Sequence, residues 1–451
     1  MTLVPKREYV LLFGGDMAIF VVSLWLTLYF RYLEIPSLEL FSAHLIPFSL
    51  LFVTWVSVFF IAGLYGKHTR LFRRRLPVTI FYAQTANVLL AALFFFFIPI
   101  FGIAPKTILV LYLAVSFPLV FLWRALLVPR IQPLRRLKGV LIASWGDAHA
   151  LAEEVANDKR YPFTFEHVID TSRVPQHEII QHACRVVGED NVTFMVIDFT
   201  DKAIAAALPI IYDAAFHKQN FTLVDIVDLY QEVFDCVPLS LVSYEWILAH
   251  TGSSRGYDAL KRLLDIAGAL TLGTLSLLLF PFIMLAIKMD DGGSVFIAMP
   301  RVGRYQRTIR IYKFRSMSGN DNGNYGASGK SKLMVTRVGK WLRILRVDEL
   351  PQILNVLRGD LSLVGPRPEV PTLAEHYSAR IPYYNARYLI QPGLMGWAQL
   401  RHDRHPHHGT DVIETKEKLS YDLYYLKHRS LWLDLYVILQ TVRIIVTARG
   451  T

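Results

Sequence analysis

Cysteine is nearly absent: the 451 residues hold two, Cys184 and Cys236. That excludes a disulfide framework and a cysteine-based zinc site, and it fits a reducing compartment for the soluble parts. Charge is scarce as well. Asp, Glu, Lys and Arg make up 19% of the chain against the roughly 25% usual in soluble domains, while apolar residues reach 53%. Acid is the scarcer sign, 37 Asp+Glu against 48 Lys+Arg, a formal net charge of +11. Such a balance suits nucleic acid, an anionic membrane face or phosphorylated substrates. At roughly 150 residues per domain the length points to about three folded units and excludes a single small binding module.

The apolar surplus is concentrated. Residues 9–128 read as four hydrophobic runs, about Tyr9–Phe30, His44–Leu64, Phe81–Phe101 and Ile108–Val128. Each has about the 20 residues that a helix rising 1.5 Å per residue needs to cross a core of roughly 30 Å. The first run is too long for a signal-peptide core and is expected to stay as an anchor. Lys6, Arg7, the 67–75 loop with Lys67, Arg70, Arg73, Arg74 and Arg75, and the exit with Arg130, Arg135, Arg136 and Lys138 all fall on one side. Positive residues mark the cytoplasmic face, so both ends of this domain, residues 1–130, are expected inside.

Residues 139–250 change character. Val140-Leu141-Ile142-Ala143 is a buried-strand pattern, followed by Ser144-Trp145-Gly146-Asp147 and a helical stretch. Further short apolar runs alternate with helical segments, which argues for a parallel sheet, a Rossmann-like α/β unit. One glycine in the first turn falls short of G-x-G-x-x-G, so a regulatory or spacer role is preferred to cofactor binding.

Residues 255–451 are expected to form a third domain. It opens with a run from Leu263 to Ile287, apolar except for Asp265 and interrupted at Phe280-Pro281. Lys261, Arg262 and Lys288 flank it, so both ends belong on one face. Pro281 is the expected break of a re-entrant hairpin over about 258–288, because an interior proline removes a hydrogen bond and bends a helix.

The chemistry is expected after that run. Arg301, Arg304, Arg307, Arg310, Lys313 and Arg315 precede a Gly/Asn/Ser loop at 318–331, and Arg337, Lys340, Arg343, Arg346, Arg358 and Arg367 follow it. In this field stands Asp348-Glu349. Adjacent carboxylates cost energy unless paired or metal-bound. They can divide labour, one as a nucleophile on phosphorus and the other holding Mg²⁺ against a diphosphate. Gly365-Pro366-Arg367-Pro368 is a rigid turn that presents one guanidinium, suited to bidentate phosphate contact. Together these suggest phosphoryl transfer at a membrane surface.

Three strings carry a resemblance: Ile311-Tyr312-Lys313-Phe314-Arg315-Ser316-Met317; Arg346-Val347-Asp348-Glu349-Leu350-Pro351-Gln352 running on to Gly365-Pro366-Arg367-Pro368-Glu369; and Pro392-Gly393-Leu394-Met395-Gly396-Trp397-Ala398-Gln399. With them the chain resembles the bacterial sugar transferases, the monotopic polyprenyl-phosphate glycosyl-1-phosphate transferases. The likeness covers about 255–451, and the two preceding domains, with the stretch Asp228–Trp246, are similar to the family's large form.

The resemblance implies an integral membrane fold: four transmembrane helices, a nucleotide-fold-like α/β domain, then a re-entrant helix hairpin with a mostly α-helical α+β catalytic domain. It implies a phosphoglycosyltransferase of the bacterial inner membrane that moves a sugar 1-phosphate from a UDP-sugar to undecaprenyl phosphate. Asp348 would be the nucleophile, Glu349 the Mg²⁺ ligand, and Lys313, Arg315, Arg343 and Arg367 the phosphate-binding groups. The partners implied are the UDP-sugar donor, undecaprenyl phosphate and the lipid bilayer, and the extra domains are compatible with a homodimer.

Two departures stand out: Ala298-Met299-Pro300 stands ahead of Arg301-Val302-Gly303 where the family usually reads about Gln-x-Arg-Val-Gly, so a glutamine is missing, and Met395 replaces a threonine. The cluster His402, His405, His407 and His408 falls outside the family pattern; it could ligate a transition metal, but an exposed loop near phosphate is the simpler reading. A non-catalytic membrane scaffold or metabolite sensor of polysaccharide assembly remains the alternative function. Nucleic acid is not an expected partner, since no interleaved aromatic motif accompanies the charge.

Overall fold

The computed structural model describes residues 7–65, 76–101, 106–131, 136–144, 146–158, 161–188, 192–199, 201–205, 207–216, 221–252, 255–318, 334–402 and 411–446. It divides into two compact units, Met1–Glu232 and Val233–Thr451.

The first unit opens with α1 (Arg7–Tyr32), α2 (Leu38–Ile61), α3 (Leu76–Phe97) and α4 (Lys106–Leu122). All four are long and apolar enough to cross a membrane, α4 doing so through its π-helical continuation Trp123–Leu127. α2 starts ahead of the apolar run because the Ser37 hydroxyl accepts from the Leu40 amide at 3.2 Å and caps it. α3 stops at Phe97 because the residue before Pro99 is driven out of helical geometry. Charge inside the bundle is paired, as lipid surroundings demand. Asp16 and Arg124 form a buried ion pair, the Tyr65 hydroxyl donates to Asp16 at 2.6 Å, and Arg124 donates to the Leu64 carbonyl at 2.6 Å.

The same unit contains a four-stranded parallel sheet of β1 (Leu137–Ala143), β2 (Phe163–Asp170), β3 (Phe194–Ile197) and β4 (Thr222–Asp225), in spatial order 2-1-3-4. The central strands β1 and β3 read as continuous apolar runs because helices Gln176–Gly188 and Leu208–Phe216 help to cover them. Val140, Ile142, Ile179, Met195, Ile197 and Ile211 form that core.

In the second unit, α5 (Arg255–Leu277) and α6 (Phe280–Asp291) meet at a 58° bend. The break falls at Leu278-Leu279, and Pro281 stands in the first turn of α6, where its missing N–H costs nothing. An antiparallel ribbon follows, β5 (Phe296–Val302) with β6 (Thr308–Phe314), which places Lys313 opposite Ile297. α7 (Arg337–Ile344) leads into a 3-10 turn, Val347–Gln352, continued by the helix Ile353–Arg358. β7 (Ser362–Val364) pairs in parallel with β8 (Gly393–Met395), and α8 (Val412–His428) and α9 (Leu431–Val446) close the unit. Val237, Val242 and Ile247 belong to this core, beside Leu363, Trp397 and Leu423. The stretch after Glu232 therefore packs with the second unit: Trp397 Nε1 donates to the Asp235 carbonyl at 2.8 Å, and Arg401 pairs with Asp235 at 2.9 Å.

Candidate active site

The polar residues of α5 tie it to the elements that carry the site. Asp265 accepts from the Leu363 amide at 2.9 Å and from the Ser362 hydroxyl at 3.0 Å. Arg262 donates to the Val356 and Leu357 carbonyls at 2.7 and 2.8 Å, satisfying the end of the helix that continues from Asp348-Glu349. Lys261 and the Tyr257 hydroxyl both reach Asp434 on α9, at 3.1 and 3.0 Å. At the far end of α6, Asp290 accepts from the Val338 amide at 2.9 Å and so places α7.

Asp348 and Glu349 lie in the 3-10 turn, entered through Arg346 in left-handed geometry (φ 57°). Asn355, fully buried in the helix that continues this turn, joins that helix to β6. Its carbonyl oxygen accepts from the Tyr312 amide at 3.1 Å and its amide donates to the Arg310 carbonyl at 2.7 Å. The neighbouring Lys313 is thereby delivered to the dyad, Nζ lying 2.7 Å from Glu349 Oε1. Arg367 meets the same oxygen at 3.1 Å from the turn that follows β7. That turn needs glycine: a Cβ on Gly365 would come within 2.4 Å of the Gln391 carbonyl, and one on Gly393 within 2.1 Å of the Gly365 amide.

The electrostatics separate the two carboxylates. Burial opposes ionisation of Glu349, but Arg367 and Lys313 outweigh it and hold the group well below the usual carboxylate range. Asp348 is 8% exposed, and burial pushes its carboxyl up, against the pull of Lys313, Arg343 and Arg346. Lys313 is pushed down by burial, with Glu349 acting against the shift. The pair thus combines a fixed anion already engaged by cations with a desolvated carboxylate within reach of three positive charges. A desolvated carboxylate is the better nucleophile of the two.

Lys313, Arg343 and Arg367 gather around the dyad. Arg315 takes another course: its Nε lies 3.1 Å from Asp291 at the end of α6 and donates to the Met317 carbonyl at 3.2 Å. Arg346 belongs to the field by its effect on both carboxylates, and its place directly before Val347-Asp348 was the signal that could have singled it out. His402 is buried and faces Glu417 at 3.1 Å, while His405, His407 and His408 lie outside the described residues, as does the 319–331 part of the Gly/Asn/Ser loop. Among the described residues no group of three or more His, Cys, Asp and Glu is placed to hold a metal ion.

Residues 256–448 match the family described as bacterial sugar transferase. A UDP-glucose:undecaprenyl-phosphate glucose-1-phosphate transferase of Caulobacter vibrioides is 41% identical over 192 residues, 42% of this chain and 71% of that protein. The chain belongs to the bacterial sugar transferase family. A UDP-N-acetylgalactosamine-undecaprenyl-phosphate N-acetylgalactosaminephosphotransferase of Aeromonas hydrophila is 42% identical over 200 residues, 43% of this chain. A UDP-glucose:undecaprenyl-phosphate glucose-1-phosphate transferase of Escherichia coli is 37% identical over 191 residues, 41% of this chain. The match spans less than half the length of these last two, 45% and 40%. As a family member with four spanning helices, the chain is a multi-pass membrane protein, and its positive-rich connections put the residues after the fourth span on the cytoplasmic side.

Proposed function

We propose that this sugar transferase moves a sugar 1-phosphate from a UDP-sugar to undecaprenyl phosphate, releasing UMP and leaving a polyprenyl-diphosphate sugar. This would be the first membrane step of exopolysaccharide, capsule or O-antigen synthesis. The observation that carries the reading is the division of the dyad: Glu349 shared by Lys313 and Arg367, with the desolvated Asp348 beside it.

In the first half-reaction a carboxylate oxygen of Asp348 attacks the donor's β-phosphorus. The bond from that phosphorus to the bridging oxygen breaks, and UMP leaves with the electron pair. In the second, a phosphate oxygen of undecaprenyl phosphate attacks the phosphorus of the aspartyl phosphosugar and Asp348 is released as carboxylate. Lys313, Arg343 and Arg367 hold the diphosphate and meet the charge that builds on its oxygens.

Mg²⁺ fits this donor set. It usually takes one or two protein carboxylates and completes its shell with substrate phosphates and water, and Asp348-Glu349 supply adjacent carboxylates. Glu349 would hold it. When bound, the ion would neutralise the diphosphate and leave its phosphorus open to in-line attack.

The bent pair α5 and α6 is read as a hairpin that dips into one leaflet and returns. Leu263, Leu270, Leu278, Phe282 and Leu285 are exposed on it. The polar contacts of Asp265 and Arg262 then hold the site at headgroup depth, where a soluble donor and a lipid phosphate can both reach it.

The test is UMP release from a panel of UDP-sugars with undecaprenyl phosphate in membranes, comparing the natural chain with Asp348→Asn. Loss of turnover is expected, by about four orders of magnitude. Full retention overturns the nucleophile, and silence of the natural chain across the panel favours a scaffold.

A further inference from the structure

Arg367 reaches Glu349 from a turn whose main chain is held by a residue twenty positions away. Arg387 Nη2 donates to the Arg367 carbonyl at 3.0 Å. Its Nη1 donates to the Tyr384 hydroxyl at 2.7 Å, and its Nη2 also lies 2.8 Å from Asp422 Oδ2 on α8. The two charged side chains are 7% and 2% exposed. The Arg387 guanidinium lies 5.2 Å from the ring centre of Tyr384 and 5.9 Å from that of Tyr388.

A buried ion pair is a poor means of adding stability, because desolvation offsets most of its attraction. What it supplies is geometry. The guanidinium is a rigid planar fork whose donors point in fixed directions, so Asp422 and Tyr384 together set where the remaining N–H is aimed. Here it is aimed at the backbone carbonyl of Arg367, one of the two residues that contact Glu349.

We propose that Arg387 is a positioning residue for the donor phosphates. Oriented by Asp422, it fixes the main chain of Arg367 and thereby the guanidinium that meets Glu349 and the diphosphate. The proposal rests on the site reading above. Lysine at this position can keep the charge pair with Asp422 but has no planar fork to serve Asp422, Tyr384 and the Arg367 carbonyl at once.

The test uses the full chain in lipid nanodiscs with Arg387→Lys, Arg367→Lys, the double variant and Tyr384→Phe. UMP release gives kcat and donor KM, and hydrogen exchange follows the amides of Gly365, Arg367 and Glu369. Expected for Arg387→Lys are a fall in kcat of about tenfold to a hundredfold, faster exchange concentrated at those amides, and a thermal midpoint lower by several degrees from the buried hydrogen bonds that lysine cannot all make. The double variant loses no more than Arg367→Lys alone, because the effect runs through Arg367. Tyr384→Phe removes one of the two groups that aim the fork while Asp422 keeps the other, so it is expected to lower kcat by about threefold and to speed exchange at the same amides. Additive losses in the double variant, unchanged local exchange, or exchange that rises evenly across the unit would each overturn the positioning role. Full turnover by Asp348→Asn would remove the site reading and leave the exchange result at Arg367 standing, so the two failures are distinct.

Discussion

Asp265 accepts a hydrogen bond from the Leu363 amide at 2.9 Å, and the two residues are 98 positions apart. The carboxylate that interrupts an otherwise apolar run is the anchor by which α5 holds β7 and the turn after it. Asp265→Leu leaves the Leu363 N–H without an acceptor, at about 1–3 kcal/mol, while the Ser362 hydroxyl keeps the Val364 carbonyl at 3.0 Å. The expected result is a thermal midpoint lower by several degrees with flotation on lipid vesicles unchanged. A variant that unfolds at the natural temperature would show that α5 is held by apolar packing alone.

The covalent step has a direct readout. Incubated with its UDP-sugar and no lipid acceptor, the natural chain is expected to gain the mass of one phosphosugar, located on the peptide that contains Asp348. Asp348→Asn gains none. Glu349→Gln forms the adduct at a rate lower by about a hundredfold or more, because Lys313 and Arg367 lose the anion between them. An adduct in Asp348→Asn would transfer the nucleophile's role to another residue.

Lys313 and Arg315, two positions apart, are expected to respond differently. Lys313 contacts Glu349, so Lys313→Ala lowers kcat/KM by about a hundredfold to a thousandfold. Arg315 pairs with Asp291, both side chains being about one-fifth exposed, so Arg315→Ala costs about 1 kcal/mol of stability and a few degrees of thermal midpoint. Its UMP release stays within about threefold of the natural chain, since its contacts do not reach the dyad. Equal kinetic damage from the two substitutions would place Arg315 back among the phosphate ligands.

These contrasts also show what could be read without coordinates. The four spanning helices were legible because each is a continuous apolar run of membrane length, though their starts depended on caps such as Ser37, which lies outside the run. The dyad was legible because adjacent acids among arginines conflict with ordinary packing. The destination of Arg315 was not, because Asp291 lies 24 positions earlier at the end of another helix and the pairing leaves no local pattern. The partner of Arg387 was hidden for the same reason, Asp422 lying 35 positions later on another helix. The chain after Glu232 reads as a continuation of the α/β unit, yet its apolar residues fill a core made mostly by residues beyond 300, a choice that only tertiary packing expresses.

Asp422 gives the fold a pH dependence that can be isolated. Burial pushes its carboxyl up from the ordinary 3.8 to about 6, with Arg387 pulling the other way. The folded state therefore holds this proton more tightly than the unfolded chain does. Its contribution to stability is fully present below pH 3.8 and is lost as the pH rises through about 6. At roughly 1.4 kcal/mol per pKa unit, the loss amounts to about 3 kcal/mol. Asp422→Asn cannot titrate, and the cost of leaving Arg387 without its anion is the same at every pH in this window. The stability difference, variant minus natural chain, is therefore expected to shift toward the variant by about 2 kcal/mol between pH 4 and pH 7, part of the loss having already occurred at pH 4. Denaturant unfolding of the two chains in matched nanodiscs at several pH values measures it. A difference that is flat across the window would mean that Arg387 keeps Asp422 ionised throughout, and one that shifts toward the natural chain would mean that the ion pair outweighs burial.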